Sequence, residues 1–217
     1  MERHDDTAQA PRSTKKPSAR AKLLDAAFAV IREKGYAATT VDDLCAAGGV
    51  TKGAFFHHFK SKDDLAVAAA DHWSETTGHF FAAAPYHAHA DPLGRVLGYI
   101  DFRRAILTGP VPEFTCLVGT MVQETYDSHP AIRDACARSI RGHAAKIETD
   151  IAAAIKAHGI RPKWTAQSLA LHTQAVLQGA FILAKATGGP EVAAESVDHL
   201  RRYVEMLFNQ QTKEKAK

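Results

Sequence analysis

The sequence predicts an all-α protein in which a small amino-terminal helical unit precedes a larger helical body. Apolar residues recur at spacings of three and four along most of the chain, as they do in amphipathic helices. Capping residues and Gly or Pro pairs separate these segments, and no stretch shows the strict alternation typical of a strand. The hydrophobic content of 46% is ample for a packed core, and 217 residues can form one large or two small domains.

Residues 1–19 are polar, contain two prolines and lack periodicity, so we expect a disordered basic arm. They also lack the apolar stretch of a signal peptide, and the chain has no apolar run long enough to span a membrane. We therefore expect a cytoplasmic protein without a membrane partner. Residues 211–217 are expected to form a flexible tail.

Positive charge is concentrated near the amino terminus. Residues 12–62 hold ten Lys or Arg and four Asp or Glu, a net charge of +6, whereas residues 63–217 carry a net charge of −1. This distribution indicates that the first quarter of the chain contacts phosphate groups. The alternative is a solvated basic segment without a nucleic-acid partner.

Residues 20–66 predict a three-helix unit. The first helix carries apolar residues between Leu23 and Ile31 at helical spacing and ends at Gly35. Thr40 and Asp43 form a capping-box pattern that opens a short second helix. Thr51 then caps a third helix that runs to about residue 59, and the segment from residue 61 repeats the cap pattern and opens a longer helix.

The second and third helices have the dimensions of a helix-turn-helix. Glycines 48 and 49 suit the tight turn between them, and Phe55 and Phe59 lie one turn apart on the face that packs inward. Lys52 and Phe56 lie on another stripe, with His57 beside them. That stripe is free to enter a DNA major groove, led by the positive end of the helix dipole.

Residues 39–44 (Thr-Thr-Val-Asp-Asp-Leu) and 49–65 (Gly-Val-Thr-Lys-Gly-Ala-Phe-Phe-His-His-Phe-Lys-Ser-Lys-Asp-Asp-Leu) resemble the DNA-binding signature of TetR-family repressors. The resemblance runs without a gap from about residue 20 to residue 70. It implies that Thr40 and Lys62 bind phosphate with help from His58. It also implies that the major groove is contacted by Thr51, Lys52, Gly53, Ala54, Phe56 and His57.

Three residues depart from the family pattern. Ala54 stands where the family commonly has threonine, and Phe56 where it commonly has tyrosine, so two hydroxyl groups are missing. We expect less polar anchoring on DNA, with Phe56 free to contact a thymine methyl group. Gly48 replaces the usual alanine and is expected to cost that helix up to about 1 kcal/mol.

Residues 67–210 predict a helical ligand-binding and dimerisation domain, with helices over roughly 92–108, 113–127, 130–157, 164–187 and 191–208. The first four of these could enclose a cavity for a small apolar or aromatic effector. Each candidate wall residue could equally be ordinary core. The candidates are Phe102, Ile106, Phe114, Cys116, Leu117, Met121, Trp164, His172, Val176 and Phe181, with Gln123, Glu124 and Gln178 as polar anchors.

The last two predicted helices are rich in small residues, which allow helices to approach closely. The family resemblance implies that they form a homodimer through an intermolecular four-helix bundle, although packing within one chain would give the same pattern. The candidate dimer residues are Ala170, Leu177, Ala180, Val197, Leu200, Val204 and Leu207.

These patterns together predict a homodimeric, ligand-responsive repressor that binds a near-palindromic double-stranded DNA operator. The alternative is a regulator without a small effector: an activator, or a redox or electrophile sensor that uses Cys116. That cysteine lies in a Cys-Leu-x-Gly segment similar to one found in some family members, although a buried apolar role fits it equally.

We predict no enzyme, cofactor or metal site. The chain lacks GxSxG, HExxH, a phosphate loop and GxGxxG. Its three cysteines have no paired spacing, and the nearest histidine pair, His87 and His89, falls in a predicted loop.

Overall fold

Helices form most of the described chain. The computed structural model describes residues 17–215, and the side-chain surroundings of residues 17–209. A 3₁₀ turn at Pro85–Ala88 joins the fourth and fifth helices, and none of the described helices is long and apolar enough to span a bilayer. The α-helices of this part are α1 (Ala19–Lys34), α2 (Val41–Gly48), α3 (Lys52–His58), α4 (Lys62–Ala82), α5 (Pro92–Ala105), α6 (Val111–Phe114), α7 (Leu117–Thr125), α8 (Pro130–Ala157), α9 (Ala166–Thr187) and α10 (Glu191–Lys215).

The two ends of the helical region differ from the prediction. The Ser18 side chain caps α1 by accepting the N–H of Ala21, so the helix begins just inside the segment expected to be disordered. At the other end α10 continues to Lys215, into the segment 211–217 that was expected to form a flexible tail. Residues 1–16 and 216–217 of the expected arm and tail lie outside the described residues.

The single helix predicted over 113–127 is in fact two helices, α6 and α7, with Thr115 and Cys116 extended between them. The guanidinium of Arg32 on α1 donates to the carbonyls of Glu113 and Thr115, at 2.9 and 3.3 Å. These carbonyls are satisfied by the guanidinium instead of by the next helical turn. A contact from 81 residues away therefore stabilises the break.

Two hydrophobic cores organise the chain. One lies under α1–α3, which together we call the head, and includes Leu23, Leu44 and Phe55. Met121 of α7 and Ile132 of α8 also belong to this core. The other joins the second half of α8 to α5, α9 and α10. Helices α4 and α8 contribute to both cores, so the expected domain boundary at 66–67 falls inside the continuous helix α4.

Gly48 has a packing role that the sequence comparison did not indicate. A Cβ atom built at this position would lie 3.2 Å from the carbonyl oxygen of Lys22 on α1. Glycine thus allows α2 to approach the backbone of α1. Part of the helix-propensity cost expected at this position is therefore offset by the close approach.

We expect Phe55→Ala to lower the free energy of unfolding by about 3–5 kcal/mol, because Phe55 is fully buried between the helices of the head. Phe56→Ala is the matched control, since this neighbouring side chain is 54% exposed and its loss should cost about 1 kcal/mol or less. Chemical denaturation followed by circular dichroism measures both values. Equal losses in the two variants would contradict this assignment of faces.

Candidate nucleic-acid interface and ligand cavity

The second and third helices form the predicted helix-turn-helix. Thr40 caps α2 in a complete capping box with Asp43, and Gly49 ends the helix with a left-handed backbone at φ 59°. Thr51 caps α3 by accepting the N–H of Ala54 at 3.2 Å. Each start and stop of the motif is thus set by a hydrogen bond local in sequence.

Helix α3 is anchored on one side only. Phe55 is buried in the core of the head, and Phe59, which follows the helix, is buried beside it with ring centroids 5.8 Å apart. The opposite face is exposed at Thr51, Lys52, Gly53, Phe56 and His57, with Ala54 and His58 half-buried at its edge. The structure therefore brings together seven of the nine residues assigned to DNA contact.

Lys52 carries the charge of this face. Its ammonium lies 2.9 Å from a carboxylate oxygen of Asp42, and the lysine and aspartate side chains are 58% and 73% exposed. An ion pair this exposed contributes little to stability. The ammonium is therefore free to exchange Asp42 for a DNA group at small cost.

Lys62 and Thr40 have structural partners. The ammonium of Lys62 donates to the carbonyls of Tyr36 and Thr39, at 3.0 and 2.9 Å, and lies 4.3 Å from the centre of the Tyr36 ring. The Ala37 carbonyl lies 3.5 Å from the same ammonium, so its donors are occupied by backbone in the DNA-free chain. Phosphate binding by Lys62 stays a prediction and would require the ammonium to leave these carbonyls, whereas the exposed Thr40 hydroxyl combines capping with an accessible position.

A carboxylate of the body closes the other side of the same loop. The side chain of Glu124 on α7 accepts the backbone N–H groups of Tyr36 and Ala37, at 3.0 and 2.8 Å. Hydrogen bonds to a charged group are about twice as strong as neutral ones. The loop between α1 and α2 is thus held by Lys62 from the head and Glu124 from the body.

A cavity of about 450 Å³ lies where the head meets the body. Its walls come from the end of α1, the middle of α4, the end of α5, the α6–α7 connection, α8 and α9. Aromatic rings line much of it, including Trp73, Phe80, Phe81, Phe114 and Phe181. Volume and lining fall within the range of small-molecule sites.

The cavity also carries charge. Arg32, Arg103, Arg138 and Lys146 line it, against a single carboxylate, Glu113. Among the described residues, the Nε of Arg103 and the hydroxyl of Thr115 are buried without a hydrogen-bond partner.

A hydrogen-bonded chain crosses the cavity wall. Gln174 donates to the hydroxyl of Tyr99 at 3.3 Å, and that hydroxyl lies 2.9 Å from the Nε2 of His143. Burial, with help from the charges of Arg103 and Lys146, lowers the pKa of His143 to about 3. His143 is therefore neutral at physiological pH.

Both halves of the chain match models of one protein family. Residues 23–69 match the model for bacterial regulatory proteins of the tetR family. Residues 92–200, half of the chain, match the tetracyclin repressor-like carboxy-terminal domain. The chain belongs to the TetR family.

The named relatives align over part of their length. The regulator TtgR of Pseudomonas putida is 37% identical over 75 residues, which cover 35% of this chain and 36% of TtgR. The regulator AcuR of Cereibacter sphaeroides is 28% identical over 102 residues, which cover 47% of each protein. The chain thus aligns with about half or less of either relative.

Solved structures match the whole fold. A TetR regulator from Chloroflexus aurantiacus is 29% identical, with a TM-score of 0.75 over 86% of this chain and 94% of that one. A TetR-family regulator from Agrobacterium tumefaciens reaches the same TM-score at 19% identity, covering 87% and 97% of the two chains. All four matched proteins are named as transcriptional regulators, which agrees with the prediction of a regulator and not an enzyme.

The cavity of this TetR-family protein uses some of the candidate wall residues. Ile106, Phe114, Cys116, Gln178 and Phe181 line the cavity. Gln123 and Glu124 instead line a second, more polar cavity of about 320 Å³ between α1, α7 and α9.

Six candidates lie elsewhere, and their assignment to the cavity is corrected. Leu117 and Met121 are buried in the core of the head. Phe102, Trp164 and Val176 pack against the core of the body, and His172 is exposed beside Tyr203. Helical spacing marks these residues as apolar or inward-facing, but an amphipathic pattern cannot distinguish a core wall from a cavity wall.

The basic residues of the cavity were missed. Arg103 is four residues after Tyr99 and three before Ile106, so it lies in the inward register of α5. A charged residue in that register was the available signal. In the part of the chain that the structure describes, no group of three or more His, Cys, Asp or Glu is placed to hold a metal ion.

The candidate dimer residues lie mostly inside a single chain. Ala170, Leu177, Ala180, Val197, Leu200 and Val204 are buried in the core of their own chain, and Leu207 is partly buried there. The exposed face of the same two helices carries other apolar side chains. These are Leu171, Ile182 and Leu183 on α9, and Tyr203 and Met206 on α10.

Lowering the pH from about 6.5 should destabilise the protein through His143. The unfolded imidazole takes up a proton near pH 6.5, whereas the folded pKa is about 3. The unfolded state therefore binds more protons across this window, and stability falls by up to about 1.4 kcal/mol per pH unit as pH decreases.

Chemical denaturation of wild type and His143→Gln between pH 7 and pH 5 measures the contribution of His143 to the pH dependence of the unfolding free energy. The variant should show a shallower dependence of unfolding free energy on pH. His79→Gln, which replaces an exposed histidine, is the matched control and should keep the wild-type slope. Identical slopes for wild type and His143→Gln would contradict a neutral His143.

Proposed function

We propose that this TetR-family protein is a homodimeric repressor that binds a near-palindromic operator through α3 and releases it when a small molecule occupies the cavity. The observation that carries the proposal is the face of α3 that remains exposed opposite Phe55. It presents a helix amino terminus, Lys52 and Phe56 toward solvent. A recognition helix lies in the DNA major groove with such a face and its amino-terminal residues toward the base edges.

Two such heads require a dimer to read adjacent half-sites. The exposed apolar face of α9 and α10 supports one, since five large apolar side chains there are 43–55% exposed in the single chain. Gly179 lies on this face, and a Cβ built on it would meet nothing within 4 Å. A second copy could therefore approach α9 closely. A two-fold axis through this face would set the recognition helices about 34–36 Å apart.

The cavity supports a release mechanism because its walls include the helix that follows α3. Trp73 and Thr77 of α4 line the cavity, and the same helix begins at Lys62 beside the head. Arg32 links the cavity to α1 as well. A ligand that fits one arrangement of α4 better than another shifts the population of head positions by that difference in affinity.

A second candidate trigger is covalent modification of Cys116. This thiol is partly exposed, whereas Cys45 and Cys136 are buried. It lines both cavities and accepts the N–H of Gly119 at 3.4 Å. Release of DNA by a non-reactive small molecule in the Cys116→Ser variant would rule out this alternative.

Lys52→Ala should weaken binding to a cognate site by about 1–3 kcal/mol and reduce discrimination against single-base variants of it. The site is obtained by selection of genomic fragments with the wild-type protein, and affinity is measured by fluorescence anisotropy at several salt concentrations. Lys156→Ala, at the far end of α8, is the matched control for removing one positive charge. If selection returns no preferred fragment, or both variants behave alike, the proposed interface fails.

Ile182→Arg should convert the dimer to a monomer, because it places a charge in the centre of the exposed apolar face of α9. Sedimentation velocity of the folded variant measures this change. Tyr126→Arg also introduces an arginine at a large exposed side chain, which is 64% exposed and lies outside that face. This control variant should leave the dimer intact. A wild-type monomer, or a dimer that survives Ile182→Arg, would refute this interface.

A further inference from the structure

The cavity holds two basic side chains without an acidic partner. Arg32 donates to backbone carbonyls, and Arg138 lies 3.3 Å from a carboxylate oxygen of Asp71 at the exposed rim. Arg103 and Lys146, in contrast, form no ion pair with a residue in the described range 17–209. Four basic side chains thus line the cavity against one carboxylate, that of Glu113, so positive charge is in excess there.

Arg103 is held in place without being neutralised. Its guanidinium lies 5.2 Å from the centre of the Phe81 ring and 5.5 Å from that of Phe181. The two rings restrict its position through cation–π contact and packing, and its Nε is buried without an acceptor. A buried donor that lacks a partner costs stability, and a ligand oxygen would remove that cost.

The other donors lie around it. Arg103 and Lys146 both act on His143, since their charges help to lower its pKa. The Lys146 ammonium reaches across to α4, where a Cβ on Gly78 would lie 3.1 Å from it. His143 itself lines the cavity, and its Nε2 lies 2.9 Å from the Tyr99 hydroxyl.

The rest of the cavity is apolar. Trp73, Phe80 and Phe114 form its aromatic walls, and Ile106 and Leu107 its aliphatic walls. A volume of about 450 Å³ suits a molecule of one or two rings. The cavity thus combines a cluster of donors at one place with apolar surface elsewhere.

We propose that the effector is an aromatic carboxylate whose charged group binds Arg103 and Lys146 and whose ring system lies among the aromatic walls. Arg103 offers the planar pair of N–H groups that matches a carboxylate. This inference rests on the proposed function, because it names the ligand class of the same cavity. It differs from the sequence-based expectation of an apolar or aromatic effector by requiring an anionic group.

The test compares ligands that differ only in charge. Benzoate, 2-naphthoate and biphenyl-4-carboxylate are each paired with the corresponding neutral amide, and binding to the full-length dimer is measured by isothermal titration calorimetry. At least one carboxylate should bind tenfold or more tightly than its amide. Failure of all three carboxylates to bind, or equal affinity within every pair, would overturn the inference.

Variants test whether Arg103 is the source of the preference for a carboxylate over its amide. Arg103→Met should abolish the preference for carboxylate, and Arg103→Lys should keep part of it. Arg104→Met is the matched control, because its neighbouring guanidinium is paired with Asp198 at 2.6 Å outside the cavity and the preference should survive. A preference that persists in a folded Arg103→Met variant would overturn the assignment, and thermal melting without ligand verifies the fold of each variant.

DNA release separates this inference from the proposed function. A carboxylate that binds through Arg103 but leaves the operator complex intact would support the ligand class and refute the effector mechanism. Release by neutral amides, with no response to the carboxylates, would support an effector mechanism and refute the anionic ligand.

Discussion

The attachment of α1 to the body is the constraint on which the rest of the structure depends. Arg32 donates from the end of α1 to the carbonyls between α6 and α7, and its guanidinium lies 5.1 Å from the centre of the Trp73 ring. Glu124 holds the following loop from the opposite side by accepting two backbone N–H groups. The bonds from Arg32 to the Thr115 carbonyl and from the Tyr36 N–H to Glu124 are partly buried, so removing either charged side chain would leave a partly buried backbone group unsatisfied.

This junction explains why the head and the body share a core instead of forming separate units. Met121 of α7 and Ile132 of α8 are buried among side chains of the head, and α4 runs from the head to the cavity without interruption. Packed helices resist continuous deformation and move between discrete arrangements. The continuous helix α4 therefore connects the cavity walls directly to the core of the head.

The cavity shows how stability is reduced where a ligand is expected to bind. The protein keeps Arg103 without an acidic partner, His143 neutral and the Thr115 hydroxyl without an acceptor. Each arrangement is less favourable than an apolar or fully paired alternative would be. Uncompensated polar groups that converge on one cavity are typical of functional sites.

The sequence by itself determined the all-α class and the head. Thr40, Gly49 and Thr51 act through hydrogen bonds to residues nearby in the chain, and Phe55 and Phe59 lie one turn apart, so the pattern was sufficient to place both helices and the exposed face. Tertiary structure decided what distant residues contribute. The position of the Lys62 ammonium depends on carbonyls of the loop between α1 and α2. The break between α6 and α7 depends on a guanidinium from α1.

The same distinction explains the corrections in the body. Helix α9 is apolar on two sides, one buried against its own chain and one exposed, so periodicity could not assign Leu177 to the core and Ile182 to the surface. The cavity is a volume left between six segments, and Arg103 becomes a cavity residue only when α4 and α9 bring Phe81 and Phe181 to its sides. Local sequence encodes the helices; the space between them exists only once they are packed.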